Sequence, residues 1–262
     1  SGDTSTDLSN VETGLDVTVE VDTSSDITSN TNITSDAVDA YELADGADLT
    51  LTAAQADAVS ITALGTTGAT TVMDIDGELN ADLSAVDTSL TIDLEATGEV
   101  GSPIVLGSNA HIDVAEGETL TVTSASGTEH VLDATAATFS FEDTGGTPGS
   151  VTIDPDTTLR LGAGQIDAQT FDGTGSLVVA DLDSTNEDTD LSNVADGLTT
   201  TAEVSGNADI TGNGTITNTR LDQYEIADGQ ELTLTAAQAT GVDVSAPSGT
   251  AMTTVTALSS TL

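Results

Sequence analysis

Carboxylates are the most abundant side chains in this sequence that could bind a ligand, and they concentrate in one short segment. Residues 181–190 contain five acidic side chains and one asparagine. Calcium is bound in proteins by about six to eight oxygens from carboxylates, amides and main-chain carbonyls. The segment therefore predicts a calcium site whose ligands would be Asp181, Asp183, Asp188 and Asp190.

A second group of carboxylates surrounds a glycine turn earlier in the chain. Asp74, Asp76 and Asp82 are spaced around Gly77 so that they could wrap a hard cation. Neither group matches an EF-hand loop, which requires a glutamate at its twelfth position, or the Gly-Gly-x-Gly-x-Asp repeat of calcium β-rolls. Two interpretations therefore remain for both groups: calcium ligands, or a solvated acidic surface, which is the usual role of a run of charges.

Residues that could perform catalysis near neutral pH are few. His111 and His130 are the two histidines, and neither lies in a nucleophile motif such as Gly-x-Ser-x-Gly. Cysteine and lysine are absent, which excludes thiol nucleophiles and Schiff bases. Paired aspartates can hydrolyse glycosides, but two arginines in so acidic a chain are a poor site for an anionic sugar. We therefore predict that the chain is not an enzyme.

The charge balance limits the partners and the setting of this protein. The sequence has 45 acidic residues against two basic ones, and its formal net charge is −43 at pH 7. Such a surface repels nucleic acid phosphates and anionic lipids, so we expect neither nucleic acid binding nor membrane insertion. Self-repulsion of this size destabilises a compact fold unless bound cations or high salt offset it. We therefore expect an extracellular protein in a calcium-rich or saline medium.

Short segments of alternating apolar and polar residues must position these side chains. Leucine, valine, isoleucine or phenylalanine alternates with polar residues, as in a strand with one buried face. Turn signals such as Asp-Gly and Gly-Gly separate the segments. The chain is therefore predicted to be all-β, with strands in segments 15–21, 49–52, 90–94, 120–123, 139–141, 151–153, 159–161 and 177–179.

A long internal repeat organises these segments. The stretch 41–56 returns as 224–239, 183 positions later, and the same offset relates residues 6–11 to 189–194. We therefore divide the chain into a first long repeat unit, residues 1–185, and the start of a second copy, residues 186–262. Because the second copy is partial, we expect the sequence to be a window on a longer array.

Two architectures fit a repeat made of short strands. One is a β-solenoid, similar to a parallel β-helix, in which stacked coils supply strands to continuous sheets; the other is a series of tandem β-sandwich domains. The chain has five aromatic residues and no tryptophan. Since a sandwich core commonly holds a large aromatic residue, the composition favours the solenoid.

The repeat also predicts local features that need no ligand. Thr52–Ala56 and Thr235–Ala239 each predict a single alanine-rich helical turn capped by threonine. An Asp-Gly pair precedes each of them and predicts a turn with positive φ at Gly46 and Gly229.

The residues expected inside the solenoid are mostly small aliphatics. We expect Tyr41 and Tyr224 to be half-buried packing residues at strand ends, because a tyrosine hydroxyl usually reaches a polar partner. The predicted core includes Val17, Val19, Leu49, Leu51, Leu232 and Leu234.

The Ala-Asp-Gly turns, the Leu-Thr-Leu-Thr-Ala-Ala-Gln runs and the composition rich in Thr, Asp, Gly and Ala resemble those of prokaryotic surface-layer proteins and giant extracellular repeat adhesins. The resemblance covers the whole chain in composition and the two copies of the motif in detail. It implies an exported, non-catalytic protein that forms a cell-surface coat, fibre or stalk through repeat stacking and self-association, often with calcium. Its main partners would be copies of itself.

The alternative is an adhesin or binding module that recognises a cell-surface polysaccharide or another surface, ice included. Saccharide binding needs clustered exposed aromatics, and five aromatic residues are few for that purpose. An ice-binding surface needs a flat array of Thr-x-Thr pairs, and the pairs present do not recur at a constant coil length: Thr50/Thr52, Thr121/Thr123 and Thr233/Thr235. Asn32 and Asn213 lie in glycosylation sequons that a suitable organism would modify.

Overall fold

Parallel coils form the whole of the described structure. The computed structural model describes residues 6–12, 14–64, 70–73, 78–79, 85, 90–93, 103–106, 111–114, 119–123, 130–141, 149–247 and 249–256. Over these residues the chain is a β-solenoid of about eight turns, built mostly of short strands. The predicted all-β solenoid is confirmed. Tandem β-sandwiches are wrong for this chain, because the strand pairs described here are parallel and sandwiches are built from antiparallel sheets.

The strands are short, and among the described residues three helical segments of four residues each lie between them. The helices are α1 (Ala53–Ala56), α2 (Ala163–Ile166) and α3 (Ala236–Ala239). In chain order the strands are β1 (Thr18–Val21), β2 (Ser25–Asp26), β3 (Ala40–Leu43), β4 (Leu49–Thr52), β5 (Ser60–Ala63), β6 (Thr70–Met73), β7 (Glu78–Leu79), β8 (Leu90–Asp93), β9 (Pro103–Leu106), β10 (His111–Val114), β11 (Thr119–Thr123), β12 (His130–Asp133), β13 (Thr138–Phe141), β14 (Ser150–Ile153), β15 (Thr157–Gly162), β16 (Thr170–Gly173), β17 (Ser176–Leu182), β18 (Thr199–Val204), β19 (Ala208–Asp209), β20 (Gln223–Ile226), β21 (Glu231–Thr235), β22 (Asp243–Ser245) and β23 (Met252–Thr256).

Two long sheets run along the solenoid. The first has seven strands in the order β16-β14-β11-β8-β6-β4-β2, and the second has eight in the order β22-β20-β18-β17-β15-β12-β9-β7. Three shorter sheets, β1-β3-β5, β10-β13 and β19-β21-β23, lie beside them. Each coil returns the chain in the same direction, so neighbouring coils pair in parallel.

The core is a continuous stack of aliphatic side chains inside the coils. Leu49 and Leu51 are buried while the alternate residue Thr50 is half-buried on the outer face, and Leu232 and Leu234 repeat this pattern. The prediction is confirmed for these four leucines. Val17 and Val19 are half-buried instead. Val19 lies in β1, the edge strand of its sheet. Within the described residues, β1 pairs with β3 on one side and with no strand on the other.

The 183-residue repeat is also a repeat of the three-dimensional structure. The register Val19↔Tyr41↔Ile61 across β1, β3 and β5 has its counterpart, Ala202↔Tyr224↔Val244, across β18, β20 and β22. In the neighbouring sheets, Asp26↔Thr50↔Thr71 has the counterpart Asp209↔Thr233↔Thr254. Two copies of the sequence therefore form the same three successive rungs.

The two copies share one sheet. β17 belongs to the first long unit and β18 to the second, and the two strands pair in parallel from Ser176↔Thr199 to Leu182↔Val204. One extra residue between Val179 and Leu182 forms a β-bulge at this junction. The second copy therefore continues the coils of the first.

Candidate cation segment and the polar contacts between coils

The predicted calcium segment begins at the β-bulge of β17. Asp181 is exposed and has φ of 58°, the left-handed conformation that asparagine and aspartate tolerate best. Asn186 closes the following loop: its Oδ1 accepts from the main-chain N–H of Asp183 (2.8 Å) and its Nδ2 donates to the carbonyl of Asp181 (2.8 Å). The loop is thus held by its own amide and main-chain groups.

Two of the four predicted ligands serve as acceptors within their own turns. Oδ1 of Asp183 accepts from both Oγ1 (2.6 Å) and the main-chain N–H (2.7 Å) of Thr185, and these bonds lower the pKa of Asp183. Asp190 accepts from the N–H of Ser192 (2.8 Å), which lowers the pKa of Asp190. Asp188 is exposed. Two carboxylates of the segment therefore already stabilise the folded loop without a metal.

The structure does not bring the predicted ligands into one cluster. Within the described residues, no three histidine, aspartate or glutamate side chains converge on a point that would hold a metal ion. Asp74, Asp76 and Asp82 lie outside the described residues. A calcium site therefore stays a prediction, and the segment 181–190 remains its candidate place.

The Asp183–Thr185 contact is one case of a turn that recurs along the chain. In each case an aspartate Oδ1 accepts from the hydroxyl or the main-chain N–H of a serine or threonine two positions later. The middle residue is apolar and packs inward in most cases. This Asp-x-Ser/Thr pattern is visible in the sequence and could have predicted these turns. It occurs at Asp7, Asp26, Asp133, Asp183, Asp190 and Asp209.

The predicted helical turns are confirmed, and each carries a glutamine that joins two coils. At α1, Oγ1 of Thr52 accepts from the N–H of Gln55 (3.2 Å), and Oε1 of Gln55 accepts from the N–H of Thr52 (2.8 Å). Nε2 of Gln55, which is buried, then donates to carbonyls of the preceding coil, those of Ile27 (2.9 Å), Asn30 (3.0 Å) and Ile33 (3.2 Å).

The same arrangement, in which a glutamine caps its own helical turn and donates to carbonyls of the preceding coil, also occurs at α3 and α2. Gln238 of α3 donates to the carbonyls of Ile210, Asn213 and Ile216 in the second copy. Gln165 of α2 donates to those of Ala134 (3.1 Å) and Ala137 (2.9 Å). The sequence does not predict α2, because Gly162 stands where the other two helical turns have a capping threonine.

Asparagine side chains also join coils. The two glycosylation sequons differ in this respect. Nδ2 of Asn213 donates to the carbonyls of Glu187 (2.8 Å) and Thr189 (2.9 Å), one coil earlier. Asn32 is exposed. The Asn213 amide is therefore part of the internal hydrogen bonding, whereas the Asn32 side chain lies at the surface.

Both arginines bind acidic groups on other coils, one or two coils away. Arg160 on β15 binds Asp133 on β12 (Nη1–Oδ2 2.9 Å) and Glu203 on β18 (Nε–Oε2 3.1 Å). The hydrogen bond to Glu203 raises the pKa of Arg160. Arg220 donates to the carbonyl of Val194 and to Oδ1 of Asp196 (2.7 Å). The basic residues thus join coils, and neither stands free in an anion-binding pocket.

The tyrosines are more deeply buried than expected. Tyr41 is 1% exposed and Tyr224 is 0% exposed, and neither hydroxyl has a hydrogen-bond partner within the described residues. Burial raises the pKa of Tyr41 to about 12 and raises that of Tyr224 as well. The prediction of half-buried rings was wrong, because each ring lies in the middle of a three-strand ladder rather than at its edge.

The other aromatic residues pack together. The ring of Phe141 is 5.4 Å from that of Phe139 and 5.9 Å from that of Phe171. Phe139 and Phe171 are buried and Phe141 packs against the same core. None of the five aromatic rings of the chain therefore forms an exposed platform.

No family model, no curated protein and no solved structure matches this chain in the comparisons with known proteins. In the part of the chain that the structure describes, no helix is long and apolar enough to cross a membrane.

Proposed function

We propose that this chain is a non-catalytic, extracellular structural protein that forms a cell-surface coat, fibre or stalk through coil stacking and self-association. The supporting observation is the recurrence of the β1-β3-β5 and β2-β4-β6 rungs as β18-β20-β22 and β19-β21-β23, within one uninterrupted stack. Repeats that contact their neighbours alone build rods whose length grows with repeat number. Such a rod has a mechanical use and needs no active site.

The polar contacts support the same proposal. Buried Gln55 and Gln238, together with Asn213 and Arg160, make their hydrogen bonds to groups one or more coils away. Polar networks of this kind resist separation of the coils because the buried amides of Gln55 and Gln238 would lose their acceptors on the preceding coil. These side chains therefore stabilise a long stack.

Self-association through the coil ends is supported by the last described coil. Val244 and Val255 occupy the register positions of buried Tyr224 and Leu234, yet they are 41% and 37% exposed. Within the described residues, nothing pairs with the outer edges of β22 and β23. Free strand edges beside exposed apolar side chains favour the addition of another coil. We therefore propose that a further coil stacks on this end, either from additional repeats of the same chain or from β1 of another copy.

A role for cations is supported by like charges that face each other. Glu20 lies opposite Glu42 in the ladder of β1 and β3, and Glu203 lies opposite Glu225 in the corresponding ladder of the second copy. Carboxylates directly opposite each other in neighbouring strands are destabilising. Calcium or high salt would offset this repulsion and that of the remaining acidic surface.

The test is assembly measured by sedimentation velocity and electron microscopy, in millimolar calcium, after chelation, and in molar sodium chloride. We expect rods that lengthen with protein concentration. The double variant Val244→Asp/Val255→Asp should remain monomeric. The control Met252→Asp should still assemble, because Met252 is also an exposed apolar residue but its side chain faces outward on β23. A wild-type chain that stays monomeric at all concentrations and in all three media would refute the proposal.

Chelation distinguishes the two sources of charge compensation. If calcium alone restores the rods and the melting temperature, specific sites hold it, and Asp181 and Asp188 are the first residues to replace. If molar sodium chloride restores them equally, screening is sufficient and the calcium prediction fails.

The alternative of saccharide recognition has less support. A saccharide-binding surface commonly offers exposed aromatic rings, and in this chain the rings of Tyr41, Tyr224, Phe139 and Phe171 are buried.

A further inference from the structure

The first coil of the chain presents a surface whose counterpart in the second copy is covered. Residues 6–11 and 189–194 have the same sequence, and Leu15 corresponds to Leu198 at the same offset of 183. Leu198 is 5% exposed, whereas Leu15 is 57% exposed. The same residue type at the same position of the repeat is therefore buried in one copy and open to solvent in the other.

The difference extends over one side of that coil. Leu191 and Val194 are buried, while their counterparts Leu8 and Val11 are half-buried. The strand of this coil, β1, pairs with β3 and with no other described strand. We give the name first-coil surface to the apolar side chains at this end of the core: Leu8, Val11, Leu15, Val17 and Val19. An apolar surface beside a free strand edge favours the addition of another strand.

The second copy shows which coil covers the equivalent surface. There the preceding coil, which contains α2, β16 and β17, contributes the bridge of Phe171 to Val194 and the ladder of β17 with β18. Nδ2 of Asn193 donates to the carbonyl of Ala168 in the same preceding coil (2.8 Å). Asn10, the counterpart of Asn193, is exposed. The first coil therefore carries the same polar group as well as the same apolar residues.

The charges of the first coil match the same neighbour. Glu203 accepts from Nε of Arg160 on β15 (3.1 Å). Its counterpart Glu20 is exposed, makes no side-chain hydrogen bond within the described residues, and lies opposite Glu42. An arginine at the position of Arg160 in a preceding unit would bind Glu20 and offset its repulsion from Glu42.

The last described coil does not offer an equivalent partner. Its strand β23 corresponds to β6, and β6 pairs on its outer side with β8, which lies further along the repeat. Residues 221–256, which form this coil, contain no arginine. Stacking of this coil on β1 would therefore omit the coils that separate β6 from β17 in the long unit.

From this equivalence we propose that the first-coil surface binds the last coil of another copy of the long unit, a coil with the sequence of residues 163–185. The two are joined in sequence as residues 1–185 are joined to residues 186–262. The inference rests on the coil stacking proposed above and names the partner of the β1 end. Each junction between units then repeats the β17–β18 ladder that is present inside this chain.

The experiment adds a segment to the full chain in place of residues 1 and 2, because residue 3 corresponds to residue 186. The in-phase graft repeats residues 150–185. The out-of-phase graft repeats residues 221–256, which have the same length and the same formal net charge. The readout is hydrogen exchange of the main-chain amides of residues 16–22, and circular dichroism checks that each chain folds.

The in-phase graft should slow exchange in residues 16–22 by about tenfold or more, because amides at an open edge gain the protection of a paired strand. The N–H groups of Asp16 and Asp22 correspond to those of Thr199 and Ser205, which donate to carbonyls of the preceding coil (3.0 and 3.2 Å). The out-of-phase graft should leave this exchange unchanged.

Two substitutions in the in-phase chain test the contacts themselves. Leu15→Asp should remove the protection, whereas Leu64→Asp, at an exposed leucine outside the first-coil surface, should keep it. Arg160→Gln within the graft should weaken the protection at low salt. The effect of Arg160→Gln should shrink at about 1 M salt, where the Debye length is about 3 Å.

Equal protection by both grafts would overturn the inference, because the surface would then accept any coil. Full protection in the Leu15→Asp chain would also overturn it. If neither graft slows exchange while the wild type forms rods, the inference fails and the proposed assembly stands. If the in-phase graft slows exchange while the wild type stays monomeric in all three media, the inference stands and the proposed assembly of separate chains fails.

Discussion

The side-chain amide of Gln238 donates a hydrogen bond of 2.8 Å to the main-chain oxygen of Ile210, one coil earlier. Gln55 makes the equivalent bond, at 2.9 Å, to Ile27 in the first copy. Each glutamine also caps the helical turn that contains it. One residue type thus forms the local turn and joins that turn to its neighbour, which makes it the first target for mutation.

Replacing Gln238 with alanine should destabilise the fold by about 2–4 kcal/mol, because two or three carbonyls of the preceding coil would lose the bond from its side-chain amide, and the N–H of Thr235 at the cap of α3 would lose its acceptor. The measurement is urea unfolding followed by circular dichroism. Gln169→Ala is the control, since its amide makes an exposed bond to Asp167 within the same turn; it should change stability by less than about 0.5 kcal/mol. Equal losses in both variants would contradict the assigned role.

The facing glutamates should respond differently in the two copies. Glu20→Gln removes a charge opposite Glu42 and should stabilise the chain by about 0.5 kcal/mol at low salt. Glu203→Gln, at the equivalent position, removes a partner of Arg160 and should destabilise it by about 1 kcal/mol.

Salt provides the control for this pair of variants. At about 1 M salt the Debye length falls to about 3 Å, so both differences should shrink. Unfolding curves at low and molar sodium chloride measure this. If Glu20→Gln and Glu203→Gln changed the free energy of unfolding in the same direction, the contact with Arg160 would not be what distinguishes the two copies.

Removing the buried tyrosine hydroxyls should not weaken the fold. Tyr41→Phe and Tyr224→Phe each remove an oxygen that lacks a hydrogen-bond partner within the described residues, while keeping the ring. We expect each variant to gain up to about 1 kcal/mol, because an unsatisfied buried hydroxyl costs more than it contributes. Thermal unfolding measures this. A lower melting temperature in either variant would mean that its hydroxyl is hydrogen-bonded.

The same hydroxyls should set the alkaline limit of stability. Burial raises the pKa of Tyr41 from 10.0 to about 12 and raises that of Tyr224 in the same direction. The folded state therefore favours the neutral phenol. The contribution of the buried neutral phenols to stability is complete below pH 10 and is lost as the pH rises toward 12 and above. The Tyr41→Phe/Tyr224→Phe double variant should lose stability less steeply over that range, measured by circular dichroism at each pH.

The Asp-x-Ser/Thr turns predict a second, acidic dependence. The Thr211 hydroxyl and N–H lower the pKa of Asp209 below 3.8. A lowered pKa in the folded state contributes stability that is present above pH 3.8 and lost as the pH falls through the folded value. Thr211→Val should therefore be less stable than the wild type at neutral pH, and the difference should disappear in acid.

The control for this variant is Thr174→Val, an exposed threonine whose main-chain N–H binds the carbonyl of Ile153. The difference in stability between Thr174→Val and the wild type should not change with pH. Comparing each variant with the wild type at the same pH is necessary, because acid also removes the repulsion among the 45 acidic residues.

Local patterns in the sequence predicted local structure well. The alternation at Leu49 and Leu51, the threonine cap at Thr52 and the positive φ at Gly46 (77°) and Gly229 (74°) are all present as expected. Each depends on residues within about one turn of each other, so the information lies in a short window. The second copy supported the same predictions a second time.

Contacts between coils were harder to predict. The sequence predicts Asp183 and Asp190 as cation ligands, while in the structure each accepts hydrogen bonds within its own turn. Thr50 and Thr121 belong to Thr-x-Thr pairs that are irregularly spaced in the sequence, although the strand register aligns the two residues. The turn geometry decides which groups the two aspartates bind, and the neighbouring coil decides which residues lie beside the two threonines.

The sequence by itself determined that this protein is an all-β repeat with aliphatic residues inside and acidic residues outside, because alternation and the 183-residue offset are properties of the chain order. The tertiary structure alone decided which coils lie next to each other and in what register. Parallel pairing depends on turns of variable length, and no short window contains both strands of a pair. The burial of Tyr224, the hydrogen bond from Gln238 to the carbonyl of Ile210 and the alignment of Thr121 with Thr152 all follow from that register.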